Sequence, residues 1–445
     1  MRGSDEIQSI LQRAIRNSSA DCLEAVYAGH ETHLTRFANN HVHQNVSERN
    51  STVTVRALVQ GKVGSGTTND LSVESVKRTV QTATNAALAQ SGSGQPAQLA
   101  QPAQARTVDS FDPDVEALTP ADRASAAGHF CATASEARMV AAGFYSSSLR
   151  ELGIANTNGV SHYHTRTEIE ASAVMQGESG TGYADRLGTR LREVDTRAVA
   201  AEALQKAQLA QRPQDLAPGV YEVLLETYAV QDLASFLSYL SFGARAVQEG
   251  RSFMAGKLGQ QVMSPLISFW DDGADPSGLS QPFDYEGTPK ERVELVRDGV
   301  AKGVVYDLVT AASGGVRSTG HALPPGSGAG PMPTNLFLQA GDKTREELLA
   351  GVERGILVTR FWYTRVVHPL PVIITGMTRD GTFLVEDGRI RQPVRNLRFT
   401  TSYLEALNDV RGVGRETALA GGWMGSCRVP ALHLGAFTFT GATEF

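Results

Sequence analysis

Between positions 5 and 17 the apolar residues Ile7, Ile10, Leu11, Ala14 and Ile15 recur at i, i+3, i+4, i+7 and i+8, the spacing of one face of a surface helix. From Val26 to about Thr68 the period drops to two, with Asn39-Asn40 and Gly61-Lys62 at the reversals. Asn and Gly accept the left-handed backbone that tight hairpins need, so this stretch predicts an antiparallel meander. Asp70 is placed to cap a following helix through Val73, Val76, Val80, Ala83 and Ala87. The run Ser91 to Ala105 has few bulky apolar side chains and predicts a mobile loop. Thr119-Pro120 offers an N-cap and a proline at the first helical position for a helix reaching about Met139. Short strands are expected from Ala142 to Gly180, and Asp195 caps an Ala-rich helix to Gln211.

The composition of residues 212–219 (RPQDLAPG) marks a boundary. Beyond it Tyr221 to Glu226 reads as a strand, and Val230, Leu233, Leu237 and Leu240 form a helical stripe. Turns are expected at Asp271-Asp272-Gly273, Asp298-Gly299, Asp380-Gly381 and Asp387-Gly388. A capping box from Thr344 to Glu347 starts one more helix, with Gly355 available to close it. The expected class is α+β: an N-terminal domain of helices and antiparallel sheet (residues 1–215), then a mostly β, barrel-like C-terminal domain (residues 216–445).

A chain of 445 residues, 41% hydrophobic and 20% charged, can bury a sizeable core. The net charge of −6 comes from interspersed acids and bases, without the basic stripe that neutralises phosphates, so no nucleic-acid partner is expected. No apolar run approaches the roughly 18 to 20 residues of a membrane helix, and no signal-peptide h-region opens the chain. The expected location is the cytoplasm. Cys22, Cys131 and Cys427 are odd in number and far apart, which suits neither a disulfide framework nor a zinc ribbon.

His30-Glu31-Thr32-His33 superficially looks like a zinc-peptidase motif, but its histidines are i and i+3 in a stretch that alternates like a strand, which sends them to opposite faces. His41 with His43, and His162 with His164, share strand faces and could chelate a metal, yet no carboxylate or Cys stands at matching distance. His321 and His368 are lone histidines. The glycines of residues 312–320 (ASGGVRSTG) lack the Lys-Ser/Thr and the strand-to-helix setting of a phosphate loop. Composition and spacing alone yield no enzyme.

Four blocks carry a resemblance. Residues 35–45 (TRFANNHVHQN) with 54–70 (TVRALVQGKVGSGTTND), 252–273 (SFMAGKLGQQVMSPLISFWDDG), 283–307 (FDYEGTPKERVELVRDGVAKGVVYD) and 357–390 resemble, in order, signatures of the TldD/PmbA peptidase family. In the family's catalytic, TldD-like members a helix before the second block carries His-Glu-x-x-x-His, which binds zinc together with a C-terminal Cys. Counting back from Asp271-Asp272, that motif falls on Ser235 to Leu240 (SFLSYL), so Ser235 and Leu240 replace the histidines and Phe236 replaces the glutamate. None of these side chains is a zinc ligand or a general base. Cys427 is a weak ligand candidate, and His321 a weak candidate for binding substrate.

The resemblance therefore implies a TldE-like chain with no catalytic residues and no cofactor of its own, inactive alone. Zinc would sit in a TldD-like partner, in a dimer whose internal chamber admits unfolded peptides. A loop such as Ser91 to Ala105 would suit its entrance. Two alternatives remain open at this point: a peptide-binding or scaffold homodimer without catalysis, or a hydrolase with a relocated site, such as His321 with Cys427 or the pair His41 and His43.

Overall fold

The computed structural model describes residues 1–16, 18–91, 98–422 and 425–443. The N-terminal part runs α1 (Ser4–Arg16), β1 (Cys22–Ala38), β2 (His41–Val59), β3 (Lys62–Thr68), α2 (Val73–Ala89), α3 (Pro113–Glu116), α4 (Pro120–Glu136), β4 (Val140–Asn156), β5 (Ser161–Gln176), β6 (Thr181–Gly188) and α5 (Thr196–Leu209). Its six strands form one antiparallel sheet in the order β3-β2-β1-β4-β5-β6.

The first half of β2 is exposed on both faces, whereas the start of β1 is covered on both. Leu23, Ala25, Tyr27 and Phe37 of β1 face the helices, where Tyr27 joins Ile7, Leu11 and Val80, and Phe37 stacks on Phe130 of α4 at 5.1 Å. The alternate positions Glu24 and Val26 face the C-terminal part, where Val26 meets Phe283. Asn39 and Asn40 make the first reversal at φ 51° and 61°. The second is Gln60-Gly61, one residue earlier than expected. Thr119 caps α4 in a capping box with Asp122, and Asp195 caps α5, both as expected.

Several expectations change in detail. Ser72, not Asp70, caps α2, while Asp70 accepts the Ser72 N–H and shapes the approach. The strands from Ala142 onward are long rather than short, with 17 residues in β4 and 16 in β5. Their Ser, Gly and charged residues do not break them, because β1 and β6 complete the ladder on either side. Of the predicted loop, residues 92–97 lie outside the described residues. Leu99 and Ala100 are anchored rather than mobile: both are buried, and the Ala100 carbonyl accepts a hydrogen bond from Asn156.

The C-terminal part runs β7 (Gly219–Leu225), α6 (Thr227–Ser241), α7 (Ala244–Gln248), β8 (Phe269–Asp271), β9 (Val293–Arg297), β10 (Val300–Ala301), α8 (Leu308–Gly314), β11 (Asn335–Leu338), α9 (Arg345–Ala350), β12 (Arg354–His368), β13 (Ile373–Glu386), β14 (Arg389–Pro393), β15 (Leu397–Ser402), α10 (Tyr403–Ala406), β16 (Val410–Gly422) and β17 (Gly425–Ala442). The class is α+β. The second sheet is large and mixed, with β7 parallel to β12 and β11 parallel to β17. Pairing passes from β7 through β12, β13 and β15 to β17, which pairs β7 again, while β11, β8, β9 and β10 leave β17 as an open arm. The open arm is an addition to this closed circuit that the strand-rich pattern did not predict.

The helical stripe Val230, Leu233, Leu237 and Leu240 of α6 packs into the core of this sheet together with Phe361, Phe399 and Phe437. Asp380-Gly381 is not a turn but an irregularity inside β13, where the pairing jumps from Val358–Thr382 to Arg360–Arg379. Gly355 does not close α9. The helix ends at Gly351, and Gly355 lies in β12, where a Cβ would collide with the Glu222 carbonyl.

Candidate functional site

Helix α6 starts where β7 delivers the chain into the core, and its apolar stripe fixes its rotation. Leu240 therefore points into the core at 7% exposure, while Asp232, Ser235 and Phe236 face a cavity of about 510 Å³. Cys427, early in β17 opposite Ala420 of β16, forms part of the same wall. Ser235 lines the cavity together with it. The structure thus brings together the two places that the sequence singled out separately.

This wall offers few of the donors that a zinc ion takes. A zinc ion requires deprotonated thiolates, neutral imidazoles or carboxylates converging on one point. Burial pushes the Cys427 thiol up to about 12, so it stays protonated at neutral pH. Asp232 is raised to about 6 by burial, and both its oxygens are taken: Tyr403 donates at 2.6 Å and Thr364 at 2.8 Å. Phe236 and Leu240 offer only carbon. Among the described residues no group of three or more His, Cys, Asp or Glu side chains is arranged to hold a metal.

A thiol reagent at pH 8 is accordingly expected to leave Cys427 unmodified in the native protein and to modify it after denaturation, as read by peptide mass mapping. Rapid native labelling of Cys427 would contradict the geometry.

A second cavity of about 650 Å³ adjoins the first, sharing Tyr239, Gly421, Gly422 and Gly425. Its walls come from both parts of the chain: Arg150, Arg166, Glu168 and Glu170 of the N-terminal sheet face Tyr285 and Lys290 of the C-terminal part. Burial pushes Glu168 up, but Arg166 and Arg150 outweigh it and keep the carboxylate ionised. Glu170, raised to about 7 by burial and then by Asp185 and Glu168, shares its proton with solvent near neutrality. Sequence reasoning missed these walls and Asp232. Alternating charges on a strand read as a solvent face, and only the covering domain turns them inward.

The histidines singled out in the sequence lie away from this wall. His30 stands 3.9 Å from Glu48, and His33 bonds Ser47 at 2.9 Å. His41, His43 and His368 are exposed. His162 packs on Phe283, and His164, pushed down to about 4 by burial, bonds Ser110 and the Ser280 carbonyl. His321 is fully buried between Asp271, at 2.9 Å, and Thr319, at 3.0 Å, and no bond joins it to Cys427.

Three family descriptions match along the chain: PmbA/TldA metallopeptidase domain 1 over residues 23–87, the central domain over 106–211 and the C-terminal domain over 218–441. The chain belongs to the TldD/PmbA metallopeptidase family. Among family relatives, the metalloprotease PmbA of Escherichia coli O157:H7 is 24% identical over 374 residues, covering 80% of this chain and 79% of that one. The metalloprotease TldD homolog of Haemophilus influenzae is 30% identical over 171 residues, which span 38% of this chain and only 35% of the relative. The structure of TldE from Thermococcus kodakarensis superposes with a TM-score of 0.88 over 98% of this chain and 100% of that one, at 18% identity, a likeness of fold. No helix among the described residues is long and apolar enough to cross a membrane.

Proposed function

We propose that this chain is the TldE-like, zinc-free subunit of a cytoplasmic TldD/TldE-type peptidase. It dimerises with a TldD-like chain that carries the zinc, and unfolded peptides are the substrate. The observation that carries this reading is the filling of the metal helix. Where the catalytic members of the resembled family present two imidazoles and a carboxylate, α6 presents Ser235, Phe236 and Leu240. The Cys427 thiol beside them is held protonated. Zinc hydrolysis needs ligands for the metal and a base for its water, and this wall supplies neither. The chain's own part is then to enclose the chamber and bind peptide, for which the adjoining cavities between its two sheets offer aromatic, cationic and anionic walls.

The test is zinc content and cleavage of an unstructured peptide, measured for the purified chain alone and after mixing with a TldD-like partner. Far less than stoichiometric zinc and no cleavage alone, with both appearing in the mixture, is the expected result. Stoichiometric zinc in the isolated chain would overturn the proposal. A stable, inactive homodimer that the partner neither joins nor activates would favour a peptide-binding scaffold instead.

A further inference from the structure

The turn from Phe283 to Gly287, part of the third signature block, is where the C-terminal part plugs into the N-terminal sheet. Phe283 is buried with Val26, Leu152, Ile154 and Val160, and its ring lies 5.1 Å from that of His162. Asp284 folds the turn by accepting the Glu286, Thr288 and Ala322 N–H groups, each at 2.9 Å. Gly287, at φ +79°, presses so close that a Cβ would stand 2.7 Å from Val160.

This geometry aims Glu286 at β2. Arg56, from the first signature block, donates Nη1 to Glu286 Oε1 at 3.3 Å, and the other oxygen accepts the Leu308 N–H at 3.0 Å. The same guanidinium holds Glu24 of β1 through Nε and Nη2, both at 3.1 Å. Glu24 is 1% exposed and Glu286 8%.

Charges do not balance there. Two carboxylates share one guanidinium, and Asp307 and the fully buried Asp284 face Glu286 as further acids. Lys290 is the cation nearest Asp284, but it is shared with Asp271. His162 adds no cation, since burial pushes its imidazole below the ordinary value. Full ionisation would leave excess negative charge in a dry interface, where an uncompensated charge is strongly destabilising. The inexpensive remedy is a retained proton.

We propose that Glu24, Arg56 and Glu286 form a proton-holding latch between the N-terminal sheet and the C-terminal part, closed while the carboxylates share a proton and loosened when it leaves. The titration directions agree. Glu24 is pushed to about 7, chiefly by burial and against Arg56; Glu286 is pushed to about 7 by burial and then by Asp284. A carboxyl whose folded value lies above its unfolded one contributes stability that is full below the ordinary carboxylate range and lost as pH rises through about 7. Tyr285 and Lys290, on the far side of the same turn, line the 650 Å³ cavity, so loosening the latch would widen access to it. The inference does not depend on the proposed function.

The test is amide hydrogen exchange on the full chain at pH 6 and pH 9, corrected for intrinsic exchange. It is read on the Leu308 amide, which Glu286 itself holds, and on the Glu286, Thr288 and Ala322 amides, which Asp284 holds in the turn that carries Glu286. Protection there is expected to fall at least about tenfold between the two pH values while the buried amides of α4 change little, and Glu24→Gln or Glu286→Gln should flatten the profile. Equal protection at both pH values, or a wild-type profile surviving in both variants, would overturn the latch. Should one variant fail to fold, the wild-type profile and the other variant decide.

Discussion

Phe437→Ala is expected to cost about 3 to 5 kcal/mol of folding stability, the range for emptying a fully packed aromatic position. The ring is 1% exposed and stands at the meeting point of the second sheet. It lies 5.5 Å from Phe361 in a stacked pair, 5.2 Å from Phe399 edge-on and 5.3 Å from Phe439. Its strand, β17, pairs β16, β15 and β7 along its length, so neighbouring backbone cannot collapse into the space without breaking ladders on both sides. Denaturant unfolding followed by a probe in the C-terminal part should show the midpoint displaced by that amount, with the Phe37–Phe130 core of the N-terminal part affected less. A loss below about 1 kcal/mol would mean that the ring is not packed as described.

The parts of the fold that could be read from the sequence are those in which one local rule decides. The i, i+3, i+4 stripe gave α1 and α6, the Thr119, Asp195 and Thr344 caps gave three helix starts, and Asn39-Asn40 gave the first hairpin. What could not be read depends on partners far away in the chain. Whether Glu24, Arg56, Glu168 and Glu170 face water or a second domain is invisible to a period of two, which is identical in both cases. Asp380-Gly381 has the composition of a turn, yet Asp380 is held inside β13 by Arg360 and by Thr181 at 2.7 Å.

The candidate site was legible only in part, and for a related reason. Ser235 and Phe236 carry no chemical signal by themselves; they gain meaning from the family motif they replace and from Cys427, nearly two hundred residues later, on the same cavity wall. Asp232 went unremarked, although a lone acid three residues before Ser235 on a mostly apolar helix is the kind of residue that burial forces into a specific bond. Conversely the histidines drew attention because imidazole is versatile, and the structure buries His164 and His321 among local partners and leaves His41, His43 and His368 exposed.

His321→Ala is expected to cost about 3 kcal/mol, because it strips a buried carboxylate of its main partner. Asp271 and His321 are both fully buried; the imidazole donates to Asp271 at 2.9 Å, and the remaining Asp271 oxygen accepts the Asn335 N–H at 2.7 Å. Burial pushes His321 below its ordinary value against the pull of Asp271, so the ring is neutral near pH 7. Burial alone would raise Asp271, but the His321 contact outweighs it and keeps the carboxyl below its ordinary value. Both groups bind protons more readily when unfolded, so their contribution is present above their unfolded values and lost as pH falls. This is the opposite sign to the Glu24–Arg56–Glu286 latch. In the variant the loss should appear at pH 7 and the acid sensitivity should shrink, both read by denaturant unfolding. Peptide cleavage per folded complex with a TldD-like partner should be unchanged, since the ring reaches neither cavity. Unaltered stability with lost cleavage would instead return His321 to the role of a substrate contact.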